Sequence, residues 1–97
     1  MYIIIAGGGV IGFHIASLLA EKGHEVVVVE ISEERLETIR HQLDVKTIHG
    51  NAATPNILKE AGVEHTDLVL AVTNNDETNM VTCFMAKELG AATTAAR

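Results

Sequence analysis

The chain has a single cysteine, a single proline, no tryptophan and only 3% aromatic residues among its 97. One cysteine excludes an internal disulfide and any multi-cysteine metal centre. So few aromatics exclude the stacking platforms that bind single-stranded nucleic acid. Basic residues are scarce as well. Seven Lys and Arg stand against 13 Asp and Glu, for a net charge of −6. A basic face for nucleic acid or an anionic membrane is therefore not expected. No apolar run reaches the roughly 18 residues of a membrane span. The start, MYIIIAGGG, has neither the basic region nor the small-residue cleavage site of a signal peptide. These absences predict a cytoplasmic chain without direct membrane insertion.

What is present suits one folded domain over residues 1–97. Hydrophobic residues make up 47% and charged residues 21%, the balance of a globular chain. The length leaves no room for a separate substrate domain. Short apolar runs alternate with helix-period segments. Tyr2 to Ala6 reads as a strand buried on both faces. Ile11, Ile15, Leu18 and Leu19 share one helical face between Val10 and Lys22. Glu25 to Glu30 carries four consecutive valines, a second buried strand. Ser32 is a good N-cap, and Leu36, Ile39 and Leu43 mark the buried stripe of a second helix.

Val45 to His49 is a weaker strand. Thr54 and Pro55 open a short helix that Gly62 closes. Asp67 to Thr73 is a fourth strand. Asn74 with Glu77 predicts a capping box for a last helix running to Leu89. Thr93 to Arg97 begins a fifth strand. Alternating strands and helices require right-handed crossovers and a parallel sheet. The expected fold is α/β, a Rossmann-like doubly wound sheet of order 3-2-1-4-5. It is expected to be truncated at the fifth strand, and so a fragment of a longer domain.

Gly7, Gly9 and Gly12 spell G-x-G-x-x-G across the first strand-to-helix junction. Gly7 allows the sharp turn, Gly9 the close approach of a pyrophosphate, and Gly12 close packing of helix on strand. The helix start then offers free N–H groups and the positive end of its dipole. An acidic protein can thus bind a polyanion through backbone amides. Glu30 lies 18 residues beyond Gly12, where an acid accepts hydrogen bonds from ribose hydroxyls. Its neighbours Ile31 and Ser32 supply no cation, and Arg35 is read as part of a solvated helix face. The site should then favour NAD or NADH over the 2′-phosphorylated forms. At the other strand ends, Asn51 is placed to meet the adenine edge and Thr73 a phosphate or the second sugar. Arg97 could reach a phosphate.

Catalytic candidates are poor. His14, His24, His41, His49 and His65 show no metal-ligand spacing. Cys83 sits among Met80, Phe84 and Met85 and reads as a core thiol rather than a nucleophile. No Ser-His-Asp arrangement is suggested.

The segments IIIAGGGVIG, VVVVE and HGNAATPNILKEAGVEHTDLVLAVTNNDETNM together resemble the RCK or KTN regulatory domains of Trk and Ktr potassium-uptake systems and calcium-gated potassium channels. The resemblance is closest to the amino-terminal part of the Trk-type peripheral subunit and covers essentially the whole chain. Asp67 to Met80 is its specific part. It implies a non-enzymatic Rossmann domain at the cytoplasmic face of a membrane potassium transporter. Such domains bind NAD(H) or ATP, ADP or AMP, assemble as homodimers or larger rings, and gate ion flux as ligands exchange. It assigns Gly7, Gly9, Val10, Ile11, Glu30, Asn51, Ala52 and Thr73 to the nucleotide, with Gly12 and Ile31 beside them. Two departures stand out. Asn51 replaces a frequent Asp, and Val10 stands where some members carry an Arg that meets a terminal phosphate. A cofactor-binding fragment of an NAD-dependent oxidoreductase, and a structural module with a permanent nucleotide, are the alternatives. An unpaired sheet edge at the fifth strand also argues for an oligomer.

Overall fold

The computed structural model describes all residues 1–97. Five strands and four α-helices alternate: β1 Tyr2–Ala6, α1 Val10–Glu21, β2 Glu25–Glu30, α2 Glu33–Gln42, β3 Lys46–His49, α3 Pro55–Glu60, β4 Leu68–Ala71, α4 Asp76–Glu88 and β5 Thr93–Ala96. A single 3-10 turn at Val63–His65, not foreseen in the sequence, precedes β4. The sheet has the expected order β3-β2-β1-β4-β5. Every pairing is parallel. Central strand β1 registers Ile4 against Val27 of β2 and Val69 of β4. No helix is long and apolar enough to cross a membrane.

Side chains alternate across the sheet, and helices cover both faces. Ile3, Ile5, Val26 and Val28 pack beneath α1 and α2 with Ala16 and Ile39. Ile4, Ala6, Val27 and Val29 point the other way, toward Leu58, Val63 and Ala86. This is why YIIIA and VVVV read as unbroken apolar runs: each strand is buried twice. Burying each Ile or Val contributes about 1.5–3 kcal/mol.

Three local expectations need correction. The buried line of α1 is Gly12 and Ala16, whereas Ile11 and Leu18 are exposed, at 40% and 54%. The helix approaches β1 so closely that only small residues fit the line of contact. Larger ones flank it, and Ile15 and Leu19 pack from the side. The N-cap of α4 is Asn75, whose side chain accepts the Thr78 N–H at 2.8 Å, rather than Asn74. Strand β4 ends at Ala71 rather than Thr73, because the Thr73 N–H turns to the Asn79 side chain instead of a neighbouring strand.

Candidate functional site

The strand order reverses at β1. From there the crossovers through α1 and α2 run one way, and β4 and β5 lie on the other side. A crevice of about 380 Å³ opens outside the carboxyl ends of the strands at that switch point. Such a position is where open parallel sheets take their ligands. Gly7, Gly9, Val10, Ile11, Glu30, Ile31, Asn51, Ala52 and Thr73 all line it, and Arg97 reaches it too. Gly12 does not. It lies beneath the turn, where an added Cβ would fall 1.8 Å from the Gly7 carbonyl oxygen.

The glycine turn is built by close approach. Gly7 has φ +115°, and a Cβ there would sit 3.0 Å from the Thr73 backbone nitrogen. Its N–H donates to the Val29 carbonyl at 2.8 Å. Gly9 is the N-cap of α1, and no side chain caps this helix. The first-turn N–H groups of an α-helix have no partners within the helix. Those of Val10 and Ile11 therefore belong to an uncapped, electropositive helix start on the crevice wall.

Glu30 stands beside the same turn. It is 6% exposed, the only buried carboxylate in the chain. Gly8 N–H donates to its Oε1 at 2.6 Å and Ser32 N–H to its Oε2 at 2.8 Å. Each oxygen keeps a further acceptor site. The carboxylate is therefore held by the turn itself.

Arg35 keeps the solvated position its helix face predicts, but its side chain folds back over the glycine turn. Nη1 lies 4.0 Å from Glu30 Oε1 and 3.5 Å from where a Gly9 Cβ would be. Ser32 Oγ accepts the Arg35 N–H at 3.3 Å, which places the residue at the first turn of α2. The side chain remains 55% exposed. A cation therefore stands near Glu30, where Ile31 and Ser32 supply none.

Asn51 is partly engaged. Its Oδ1 accepts the Ala53 N–H at 2.8 Å, leaving the amide NH2 for a ligand. Outside the crevice, Arg40 bonds Glu33 at 2.7 Å, and that hydrogen bond holds the Glu33 carboxyl below its ordinary value. Cys83 lies outside the crevice lining, and burial pushes its thiol up.

Sequence reasoning missed Asn79. It is fully buried and meets Thr73 at every polar atom. Oδ1 accepts the Thr73 N–H at 3.0 Å and the Thr73 hydroxyl at 2.6 Å, and Nδ2 donates to the Thr73 carbonyl at 3.1 Å. The available signal was an Asn on the inward face of α4, aligned with Thr82 and Ala86.

A doubly wound parallel sheet with a glycine turn at its switch point defines the Rossmann class of domains. Comparison with known proteins narrows this. The family model described as the TrkA-N domain matches residues 3–97, and the chain belongs to that family. The Trk system potassium uptake protein TrkA homolog of Archaeoglobus fulgidus is 46% identical over 91 residues, 94% of this chain. The chain spans only 20% of the length of that protein. Two solved structures share the fold. The Kef carboxy-terminal domain of Shewanella denitrificans, in its AMP-bound form, has a TM-score of 0.84 at 23% identity, over 100% of this chain and 58% of that one. The GsuK channel bound to NAD has a TM-score of 0.86 at 21% identity, over 98% of this chain and 17% of that one.

Proposed function

We propose that this chain is the nucleotide-binding part of a regulatory subunit of a potassium-uptake transporter. It holds NAD or NADH, or another adenine nucleotide such as ATP, ADP or AMP, and passes the identity of the ligand to ion flux. The observation that carries the reading is the uncapped start of α1 beside a buried carboxylate in one crevice. Amides of Val10 and Ile11 would meet the phosphates, and Glu30 the ribose hydroxyls. Ala52, Ile31 and the amide of Asn51 would border the adenosine end, with Thr73 and Arg97 at the other. The residues fit such a ligand because no side chain stands at Gly9, where phosphates would approach, while Gly7 lets the turn pass close against Val72 and Thr73. The family relationship and the names of the relatives support the transport role.

The proposed role is binding rather than catalysis. The one buried carboxylate at the crevice, Glu30, is fixed by hydrogen bonds from Gly8 and Ser32 and is left with acceptor sites for ligand hydroxyls. The transport role places the domain on the cytoplasmic face of the membrane. A homodimer or larger ring fits the exposed apolar stripe on α4, where Met80 and Phe84 are each 69% exposed. A sensor also has to bind its ligands unequally in two conformations. A differential of several kcal/mol, roughly 5 for a near-complete switch, does this.

Thermal melting with NAD, NADH, ATP and ADP tests the binding. A ligand at a hundred times its Kd stabilises by about 2.7 kcal/mol, a rise of roughly 10 °C or more for a domain of this size. A melting temperature unmoved by all four at millimolar concentration refutes the reading. Steady oxidation of NADH with a small-molecule substrate would point instead to an oxidoreductase fragment.

A further inference from the structure

The two strand exits at the adenosine end of the crevice are joined by a side chain outside its lining. Glu30 and His49 are register partners in β2 and β3, and the Gly50 N–H donates to the Glu30 carbonyl at 3.0 Å. Beyond that bond the chains part. One runs through Ile31 to α2, the other through Gly50, Asn51 and Ala52, and all four residues line the crevice. His49 reaches across the gap. Its Nε2 meets the Ile31 carbonyl at 2.9 Å, and its Nδ1 lies 3.3 Å from Glu33 Oε2. Glu33 Oε1 accepts from Arg40 Nη1 at 2.7 Å, and Arg40 Nε donates to Thr47 Oγ1 at 3.0 Å, which closes a ring back to β3. A carbonyl oxygen can only accept, so Nε2 carries a hydrogen. The Glu33 carboxyl, held below its ordinary value by Arg40, is a carboxylate and also only accepts. Both contacts are hydrogen bonds only when the ring carries two protons. A neutral ring carries one and sets a bare nitrogen against a carboxylate oxygen.

We infer that His49 is a positioning residue whose protonation clasps Ile31 and Glu33 to β3 and so sets the adenosine end of the crevice. This rests on the crevice being a nucleotide site and adds its regulation by pH. A charged ring holds both acceptors, and the exits on either side are ordered before a ligand arrives. A neutral ring gives up one of them, and the clasp loosens. Histidine is the side chain that changes charge between about pH 5 and 8, so nucleotide affinity should fall as the pH rises through that range. The other charged groups do not replace it. Arg40, Glu37 and His41 stand behind Glu33 on α2. The Glu30 carboxylate is turned to Gly8, Ser32 and Arg35, and Lys46 is at the opposite end of β3.

Titration calorimetry with NAD and ATP, at about pH 6 and about pH 8, tests this. Each variant is set against the unmodified chain at the same pH, so that ionisation of the ligand and of the remaining histidines cancels. Glu33 and His49 are both more than half exposed, so neither substitution threatens the core. His49→Gln keeps a donor for the Ile31 carbonyl but cannot take a charge. It should bind about threefold more weakly than the unmodified chain at the lower pH and equally at the higher, the worth of one half-exposed charged contact. Glu33→Gln offers its amide to the neutral ring. It should match the unmodified chain at the lower pH and bind about threefold more tightly at the higher. A loss in His49→Gln or a gain in Glu33→Gln that is equal at both pH values is a structural or general charge effect and overturns the assignment, as does no change in either variant. Failure of both nucleotides to bind the unmodified chain overturns the nucleotide reading itself, and this inference with it.

Discussion

Replacing Gly12 by Ala should do more damage than any other single methyl group added to the turn. The new Cβ would lie 1.8 Å from the Gly7 carbonyl oxygen and 2.9 Å from its carbon. The obstacle is backbone, so no side chain can swing aside. Helix α1 must withdraw from β1 by more than about 1 Å, opening the contact made by Gly12 and Ala16. Overpacking of this kind costs roughly 1–3 kcal/mol, and an obstruction by backbone belongs at the upper end. Domains of this size have only about 5–15 kcal/mol of stability in total. At about 4–8 °C per kcal/mol, the melting temperature should fall by roughly 12–24 °C.

Gly23 supplies the control. A Cβ there meets nothing within 4 Å, but φ is +89°. Gly23→Ala therefore carries only left-handed backbone strain, about 1–2 kcal/mol. Thermal unfolding followed by far-ultraviolet circular dichroism compares the two. A Gly12→Ala melting temperature within a few degrees of the unmodified chain, or a larger loss at Gly23, would refute the close-packing argument.

Arg35→Ala should lower affinity for NADPH relative to NADH by about fivefold, as expected for losing one partly exposed charge contact. Calorimetric titrations with an unaltered ratio would return Arg35 to the solvent. Alkaline pH should destabilise the fold. Burial raises the Cys83 thiol and, with help from the charge of Glu25, the Tyr2 phenol. The folded state thus holds these protons more tightly than the unfolded chain does. Their contribution is complete below the ordinary thiol value of 9.0 and is lost as the pH rises through the raised values. Urea midpoints should fall from neutral pH to about 10.5, and less so in Cys83→Ala; a flat profile contradicts the assignment.

The sheet was readable because its central strands are buried on both faces, which leaves IIIA and VVVV without polar interruptions. The glycine turn was readable because its three glycines meet three separate steric demands at known spacing. Helix α1 was less so. Hydrophobic periodicity finds the largest apolar residues, and this helix makes its closest contact through the smallest. Arg35 escaped for another reason. A helical position three residues into α2 looks solvated until the length of the arginine side chain is set against the low profile of Gly8 and Gly9. Asn79 was hidden because a buried Asn is identified by its partners, and those belong to Thr73, six residues earlier and across a turn.

The two bonds that Gly8 and Ser32 give to Glu30 have a kinetic consequence. The rotamer of this acid is settled while the protein folds, so an arriving molecule finds a finished acceptor and waits for no side-chain search at that point. The neighbouring guanidinium of Arg35, more than half exposed, has no such restraint. Of the two charged groups at this corner, one is set by the backbone and the other is left to adjust on the picosecond-to-nanosecond scale of exposed side chains.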